Sequence, residues 1–262
     1  SLPYGAKRDR DPTSVRVRSS SLNHAARKLD ALGTDPRFRM FTPDLTRLAL
    51  FLTAWTAFLH RISHDDHVVV ALPAHNRLTA EDRQTMGLFV EVLPFGTDIA
   101  CSDSFETLFA RVREGLGAFL RQARPNAIAA QAPGSTASVL NFIQARFGTF
   151  AGAPARATWL HSGAHDPHNP LRLHVTDFDN SGPALEIDVS AAISRETNAA
   201  DIPDQFARLL EAVCDDATAS LVTLPLTSDA AAPEITGLCT GPAAPPDAVT
   251  PVLRLIEKQV QE

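Results

Sequence analysis

Two short stretches of the sequence each bring three histidines together, and histidine is a common residue in metal and acid–base sites. The first is HRISHDDH at 60–67 and the second is HSGAHDPH at 161–168. The first straddles a predicted helix end and a strand start, where polar residues collect at the surface. The second lies in a predicted loop with no helix to hold ligands in place. We therefore expect surface histidines and no metal ion.

Other arrangements for catalysis are equally poor. Ser63, His64 and Asp65 are adjacent, and adjacent side chains cannot point at one another as a catalytic triad requires. Glu91 and Asp98 flank an apolar stretch, but Asp98 is expected in a turn, so they make an unconvincing carboxylate pair. The sequence contains no P-loop, no Gly-x-Ser-x-Gly elbow and no Rossmann glycine fingerprint. The residues alone thus indicate a domain without a visible catalytic set.

The helices that must position any site are clear from periodicity. The strongest signal is FTPDLTRLALFLTAWTAFLHRIS at 41–63, with Thr42 as N-cap and Pro43 in the first turn. This stretch is apolar most of the way round, which predicts a deeply placed helix. Similar patterns predict further helices at 22–32, 104–122 and 202–216.

The strands follow from shorter apolar or alternating runs. Four are expected at 14–20, 67–73, 86–95 and 136–144, and 171–178 pairs with 184–190 as a hairpin across the turn sequence DNSGP. The run MGLFVEVLPF at 86–95 has almost no polar residue, which predicts a strand buried on both faces. Strands alternating with helices, plus a hairpin, predict an α/β fold with a mixed β-sheet flanked by helices.

Composition excludes several classes of protein. The 262 residues are 44% hydrophobic, enough to build a core, and the net charge of −6 with scattered Lys and Arg argues against nucleic acid or an anionic membrane as partner. No apolar run reaches the roughly 18 residues of a spanning helix, and the N-terminus has no signal-peptide core. Three widely separated cysteines, Cys101, Cys214 and Cys239, suggest reduced thiols in a cytoplasmic protein.

The order of the elements resembles a known family. The stretch FLTAWTAFLHRISHDDHVVVALPAHNR, then MGLFVEVLPFGTD, then a long helix, is similar to the C-terminal lobe of condensation domains from nonribosomal peptide synthetases. That family carries a motif of the form IGxFVNTLPLR. The residues that fit it here are Met86, Gly87, Phe89, Val90, Leu93 and Pro94.

The resemblance implies three segments. A single chloramphenicol-acetyltransferase-like lobe is expected at 1–228, followed by a linker of small residues and prolines at 229–249. The sequence TPVLRLIEKQV at 250–260 is similar to the helix that opens an adenylation domain, so 250–262 is expected to begin one.

The resemblance also implies which residues lie at the junction of two lobes, beside the tunnel for carrier-bound substrates. They are Arg77, Gly87, Phe89, Glu91 and Asn141. Gly87 would allow close backbone approach, and Glu91 replaces the Asn that is usual in the family. Arg77 matches an Arg that pairs with the Asp of the catalytic signature, and without that Asp it is expected to be exposed and unpaired.

The family's signature, His-His-x-x-x-Asp-Gly, belongs to the N-terminal lobe and has no counterpart in this sequence. Two later family segments are strongly altered, at 121–129 and 131–138. The resemblance therefore implies a partial condensation domain, inactive alone, that serves as a structural platform for an adenylation domain. One alternative is an excised half of an active condensation domain. The other is a standalone acyltransferase of the chloramphenicol-acetyltransferase type, using His60 or His64 with Asp65 or Asp66.

The partners implied are a downstream adenylation domain and, in an active domain, a condensation N-terminal lobe and peptidyl carrier domains. No cofactor is expected in this chain, because the phosphopantetheine arms belong to the carriers. Between 144 and 170 the chain also carries Phe147, Phe150, Trp159 and Leu160 in a polar or Gly/Pro-rich setting. We expect this loop to fold back over its own lobe, because these apolar side chains would otherwise stay in water.

Overall fold

The computed structural model describes residues 2–239 apart from residues 8, 9, 78, 124–135, 137, 156, 165 and 167. The chain divides into two compact units, Ser1–Leu226 and Thr227–Glu262. The predicted adenylation segment at 250–262, and most of the altered segments at 121–138, lie outside the described residues. The domain boundaries inferred from the resemblance stay a prediction.

The first unit is built on a six-stranded mixed sheet in the order β1-β8-β7-β4-β2-β3. Strands β2, β4 and β7 run parallel to one another, and β1, β3 and β8 pair antiparallel with their neighbours. A separate two-stranded ribbon is formed by β5 and β6. The strands are β1 Ser14–Val17, β2 His67–Ala74, β3 Glu91–Asp98, β4 Ser138–Ala145, β5 Thr149–Phe150, β6 Ala153–Pro154, β7 Leu171–Phe178 and β8 Ala184–Ser190. The predicted mixed α/β fold with flanking helices is confirmed.

The longer helices of the first unit pack against one face of this sheet or against one another. The helices are α1 Ser20–Leu32, α2 Pro43–Ser63, α3 Ala80–Gln84, α4 Phe105–Gln122, α5 Ala191–Ser194 and α6 Ile202–Asp215. The Thr42 side chain caps α2 as predicted, accepting a hydrogen bond from the amide of Leu45. Helix α2 is buried along most of its length because α4 and α6 flank it.

The core between helices and sheet contains an aromatic cluster. Trp55 and Phe58 of α2 meet Phe206 of α6, with ring centroids 5.0 to 5.5 Å apart. The indole N–H of Trp55 donates to the hydroxyl of Ser138 at 2.8 Å, so this buried polar group is satisfied. The contact ties the longest helix to the centre of the sheet.

Strand alternation gives the sheet two different faces. The apolar residues of β7 and β8, including Leu173 and Ile187, belong to the core under the helices. The alternate residues of β1, β4, β7 and β8 face the other way, and they include Arg16, Asn141, His174, Glu186 and Asp188. This second face, called the polar face below, carries the interactions that matter for the candidate site.

One prediction about a segment is corrected. The run 86–95 is not a strand buried on both faces, since pairing begins at Glu91 and β3 lies at the sheet edge with β2 as its neighbour. Met86 and Leu88 are 99% and 91% exposed. Within the predicted linker at 229–249, the described residues include a helix in the second unit, α7 Ala232–Cys239.

No helix among the described residues is long and apolar enough to cross a lipid bilayer. Of the predicted thiols, Cys101 is exposed and Cys214 is partly buried, and both are free. Burial raises the pKa of Cys214 to about 11. This thiol is therefore protonated and unreactive at neutral pH.

Candidate functional site

The structure gathers three of the five predicted junction residues into one cluster after β2. The guanidinium of Arg77 donates to the carbonyl of Asp82, to that of Thr85 at 2.8 Å and to that of Gly87 at 2.9 Å. It also lies over the ring of Phe89, 4.3 Å from the centroid. Arg77, Gly87 and Phe89 are thus in contact.

This geometry corrects the expectation that Arg77 is unpaired. Helix α3 ends at Gln84 and leaves carbonyl groups without helical partners, and a cation at that end satisfies them. The planar guanidinium reaches several carbonyls at once, which an ammonium group does less well. Sequence reasoning missed this role because a helix of five residues gives too short a pattern to predict.

Gly87 is needed for its backbone conformation. Its φ is +155°, a value that side-chain-bearing residues rarely adopt. A Cβ placed there would meet the Phe89 ring at 3.6 Å, an ordinary contact distance, so the close backbone approach suggested by the resemblance is not found among the described residues. The glycine allows the turn that brings Phe89 under Arg77.

Glu91 starts the edge strand β3, opposite Ala74 of β2. The chain just before and after it is apolar and open to solvent. We call this the edge patch, formed by Met86, Leu88, Val90 and Val92, which are 99%, 91%, 47% and 40% exposed. An apolar group of this kind on a sheet edge is typical of a surface that another protein covers.

Asn141 lies on the polar face, apart from the Arg77 cluster. Its Nδ2 donates to Nδ1 of His174 at 3.3 Å, and Nε2 of His174 donates to Asp188 at 2.8 Å. Asp188 accepts two further hydrogen bonds from Arg16, at 2.6 and 3.0 Å. The chain of contacts Asn141–His174–Asp188–Arg16 fixes the orientation of the Asn141 amide.

The electrostatics of this network centre on Asp188. Burial alone would raise its pKa, but hydrogen bonds from His174 and Arg16, and their charges, hold the pKa of this carboxyl well below its usual range. Asp188 is therefore ionised at neutral pH. Sequence reasoning missed it, although the alternation of polar residues in the hairpin was a usable signal.

The loop before β7 covers part of the polar face. The amide of Ser14 donates to the carbonyl of Gly163 at 3.0 Å, and Arg16 donates to the carbonyl of Trp159 at 3.2 Å. His161 lies 3.2 Å from the Ser14 hydroxyl, and the Trp159 ring is 6.1 Å from that of His174. The predicted fold-back is confirmed for this part of the loop.

The fold-back is incomplete for the apolar side chains that motivated it. Phe147 contacts Phe178 with ring centroids 5.4 Å apart and stays 45% exposed. Phe150 and Leu160 are each 82% exposed, so the prediction that they are buried by fold-back is wrong. A two-residue ribbon such as β5–β6 is too small to shelter them.

The histidine groups do not assemble into a site. His60 is buried and contacts the carbonyl of Asp65 at 2.8 Å, while His67 pairs with Asp98 at 2.6 Å on the surface. His161 takes part in the polar face, and His165 lies outside the described residues. Among the residues that the structure describes, no three His, Cys, Asp or Glu side chains could hold a metal ion. Of the two histidines named for a standalone acyltransferase, His60 is buried, whereas His64 is exposed at the end of α2.

The sequence is similar to one known family of domains and to two synthetases. A family model described as "Condensation domain" matches residues 42–236. The chain is 26% identical over 196 residues to a linear gramicidin synthase of Brevibacillus parabrevis, covering 70% of the chain and 4% of that protein. It is 30% identical over 163 residues to the hybrid PKS-NRPS synthetase iliA of Neonectria sp. (strain DH2), covering 58% of the chain and 4% of that protein.

Solved structures share the fold. The first condensation domain of the CDA synthetase matches with a TM-score of 0.66 and 18% identity, covering 87% of this chain and 50% of that one. The X-domain in complex with OxyB, from teicoplanin biosynthesis, matches with a TM-score of 0.59 and 19% identity, covering 87% and 52%. The chain thus spans about half the length of the structures it matches and a small part of the curated synthetases.

Proposed function

Since the chain belongs to the condensation-domain family, we propose that it is the C-terminal lobe of such a domain and acts as a structural platform for an adenylation domain. In this proposal the 262-residue chain does not form amide bonds alone.

The proposal of inactivity is supported by the chemistry that the sequence lacks. Amide formation between carrier-bound thioesters needs a group that positions or deprotonates the attacking amine. In the condensation-domain signature that group is the second His of His-His-x-x-x-Asp-Gly, which is absent from the 262 residues. His60 and His174 are buried, and hydrogen bonds to Asp65, Asp188 and Asn141 already engage their rings.

The observation that carries the platform role is the engagement of Arg77 within its own chain. The matching Arg of the family pairs with an Asp of the other lobe. Here three backbone carbonyls and the Phe89 ring occupy the guanidinium. Arg77 thus fixes the 85–89 turn of its own chain and does not need an Asp from another lobe as its partner. This observation supports the proposal of a lobe that acts without a second lobe.

The edge patch is the surface that we assign to the partner. Met86 and Leu88 project into solvent from a turn fixed by Arg77, so their presentation costs little entropy on binding. Apolar anchors on a rigid element are typical of binding hot spots. The adenylation domain of the same synthetase is the partner that we propose for them.

The platform is tested by measuring the affinity of the chain for the adenylation domain calorimetrically. The double variant Met86→Ser/Leu88→Ser should weaken binding by about tenfold or more, since each lost apolar anchor is worth on the order of 1 kcal/mol or more. Phe41→Ser is the matched control, because Phe41 is 96% exposed but lies outside the edge patch. Equal affinity of the wild type and the double variant would contradict the assignment.

A second candidate function is completion of an active condensation domain by a separate N-terminal lobe. It is favoured by the polar face, where Asn141 is held in one orientation by His174 rather than left mobile. In that case the N-terminal lobe supplies the signature His, and carrier domains bring the phosphopantetheine arms and substrates. This chain then contributes one wall of the tunnel.

Mass spectrometry with loaded carrier domains separates the two functions. The chain alone should give no amide product above the uncatalysed background, because the general base and the positioning of the amine are both missing. Amide formation by the chain alone would contradict both candidates. Product that appears only after an N-terminal lobe is added would support the second, and its disappearance with Asn141→Ala would assign Asn141 to that reaction.

A further inference from the structure

A cavity lies on the helix side of the sheet, away from the polar face. It sits between the start of α2, the end of α4 and the carboxyl ends of β2 and β4, and its volume is about 340 Å³. Its walls are mainly apolar and include Leu45, Leu48, Leu72, Phe119, Leu140 and Phe142. A cavity of this size and lining is in the range of small-molecule sites.

One polar side chain in this cavity, that of Asn76, is buried without a hydrogen-bond partner among the described residues. Asn76 lines it and is only 4% exposed, yet neither its Oδ1 nor its Nδ2 has a hydrogen-bond partner among the residues that the structure describes. Buried amides are almost always bonded, so an amide with both ends free calls for an explanation. A bound ligand that supplies one donor and one acceptor gives that explanation.

The backbone holds Asn76 in place for this role. Its φ is +50°, in the left-handed region, which Asn tolerates better than other side-chain-bearing residues. Asn76 lies two residues beyond the end of β2 at Ala74, in the connecting loop. Preorganised polar groups of this kind give specificity in an otherwise apolar pocket.

We propose that this pocket binds a small neutral molecule that carries a carboxamide on an apolar body, with Asn76 as its recognition residue. The ligand N–H would donate to Oδ1 of Asn76, and its carbonyl would accept from Nδ2. A charged ligand fits less well, because the apolar walls penalise loss of its hydration. Asp44, which also lines the pocket, would in addition repel a carboxylate.

Ligand-observed NMR with the purified chain provides the first test. Hexanamide is the probe, and methyl hexanoate is its matched control, because it keeps the carbonyl and the chain but lacks the N–H donor. Hexanamide should bind with an affinity on the order of millimolar, as expected for so small a molecule. Methyl hexanoate should bind about tenfold more weakly or worse, because it leaves Oδ1 unpaired. No binding of hexanamide, or equal binding of both, would overturn the proposal.

Two glycine variants provide the second test. Asn76→Gly keeps the left-handed backbone and removes the amide, so hexanamide binding should fall by about tenfold or more. Asn180→Gly is the control, since Asn180 has φ +58° but is exposed in the turn before β8, outside the pocket. It should leave binding unchanged. Hexanamide binding that survives Asn76→Gly would overturn the assignment of Asn76.

Unfolding midpoints complete the comparison without any ligand. Because the Asn76 amide has no partner among the residues that the structure describes, Asn76→Gly should lower the denaturant midpoint no more than Asn180→Gly does. A clearly larger loss with Asn76→Gly would show that Asn76 has a structural partner, and the proposal would be withdrawn. Leu48→Trp, which fills the cavity, should abolish binding of both probes; unchanged binding would place the site elsewhere.

Discussion

The guanidinium of Arg16 donates two hydrogen bonds, 2.6 and 3.0 Å long, to the two carboxylate oxygens of Asp188, although 172 residues separate them. Both side chains are more than nine-tenths covered. The pair joins β1 to β8, which are the first and last strands in chain order and neighbours in the sheet. Through His174 it also orients Asn141. The N-terminal strand is therefore an integral part of the polar face.

Breaking this pair should be costly. Asp188→Ala leaves Arg16 and His174 buried without their acceptor, and removing one partner of a buried ion pair typically costs about 3–5 kcal/mol. We expect a loss of that order in the free energy of unfolding, measured with urea. Arg18→Ala is the matched control on the same side of the sheet. Arg18 pairs with Glu186 while 59% exposed, so its loss should stay below about 1 kcal/mol. Similar losses in both variants would contradict the burial of the Arg16–Asp188 pair.

The same carboxylate predicts an acid dependence of stability. The pKa of Asp188 is lower in the folded chain than its unfolded value of about 3.9. Its stabilising contribution is therefore fully present above about pH 4 and is lost as the pH falls through the folded pKa. The difference in the free energy of unfolding between the wild type and Asp188→Asn should shrink as the pH falls from about 5 to about 2. Denaturant titrations at each pH measure this difference. A difference that stays constant would show that Asp188 is not the ionised member of the network.

Removing Arg77 should destabilise the lobe, which reverses the expectation from the sequence. Hydrogen bonds from a charged donor and a cation–π contact together support a loss of about 2 kcal/mol in Arg77→Ala. Arg77→Lys should recover only part of it, because an ammonium group cannot reach the three carbonyls in one plane. Arg83→Ala is the control, an exposed Arg on the same short helix, expected to change stability by less than about 0.5 kcal/mol.

Hydrogen exchange locates the effect of Arg77. Amides in 85–90 should exchange faster in Arg77→Ala, because the turn loses the group that holds its carbonyls, while the amides of β7 should be unaffected. Unchanged exchange in 85–90 would show that the turn is fixed by something else.

The edge position of β3 is tested by two neighbouring substitutions. Leu93 is 5% exposed and faces the helices, whereas Val92 is 40% exposed and faces away. Leu93→Ala should cost about 2–5 kcal/mol, and Val92→Ala about 1 kcal/mol or less, as judged by urea unfolding. Equal costs would mean that the strand is buried on both faces, as its composition alone had suggested.

Local sequence patterns were sufficient to locate the main elements and to indicate the family. Periodicity and caps located α2 at Pro43–Ser63 and the hairpin of Leu171–Phe178 with Ala184–Ser190, because these signals are local and repeat over many residues. The order of motifs from Phe51 to Asp98 was enough to indicate a condensation domain. Of the candidate residues, Arg77, Gly87 and Phe89 were predicted together and lie together.

The contacts that these residues make became clear only from the folded chain. The position of β3 at the edge depends on which strands pair. An apolar run gives the same sequence pattern whether the strand is central or at the edge of the sheet. The pairing of Arg16 with Asp188 depends on β1 and β8, which are distant in sequence, and no local pattern encodes which polar side chains meet across such strands. Likewise, the Asn76 amide lacks a partner among the described residues only because β2, β4, α2 and α4 enclose it.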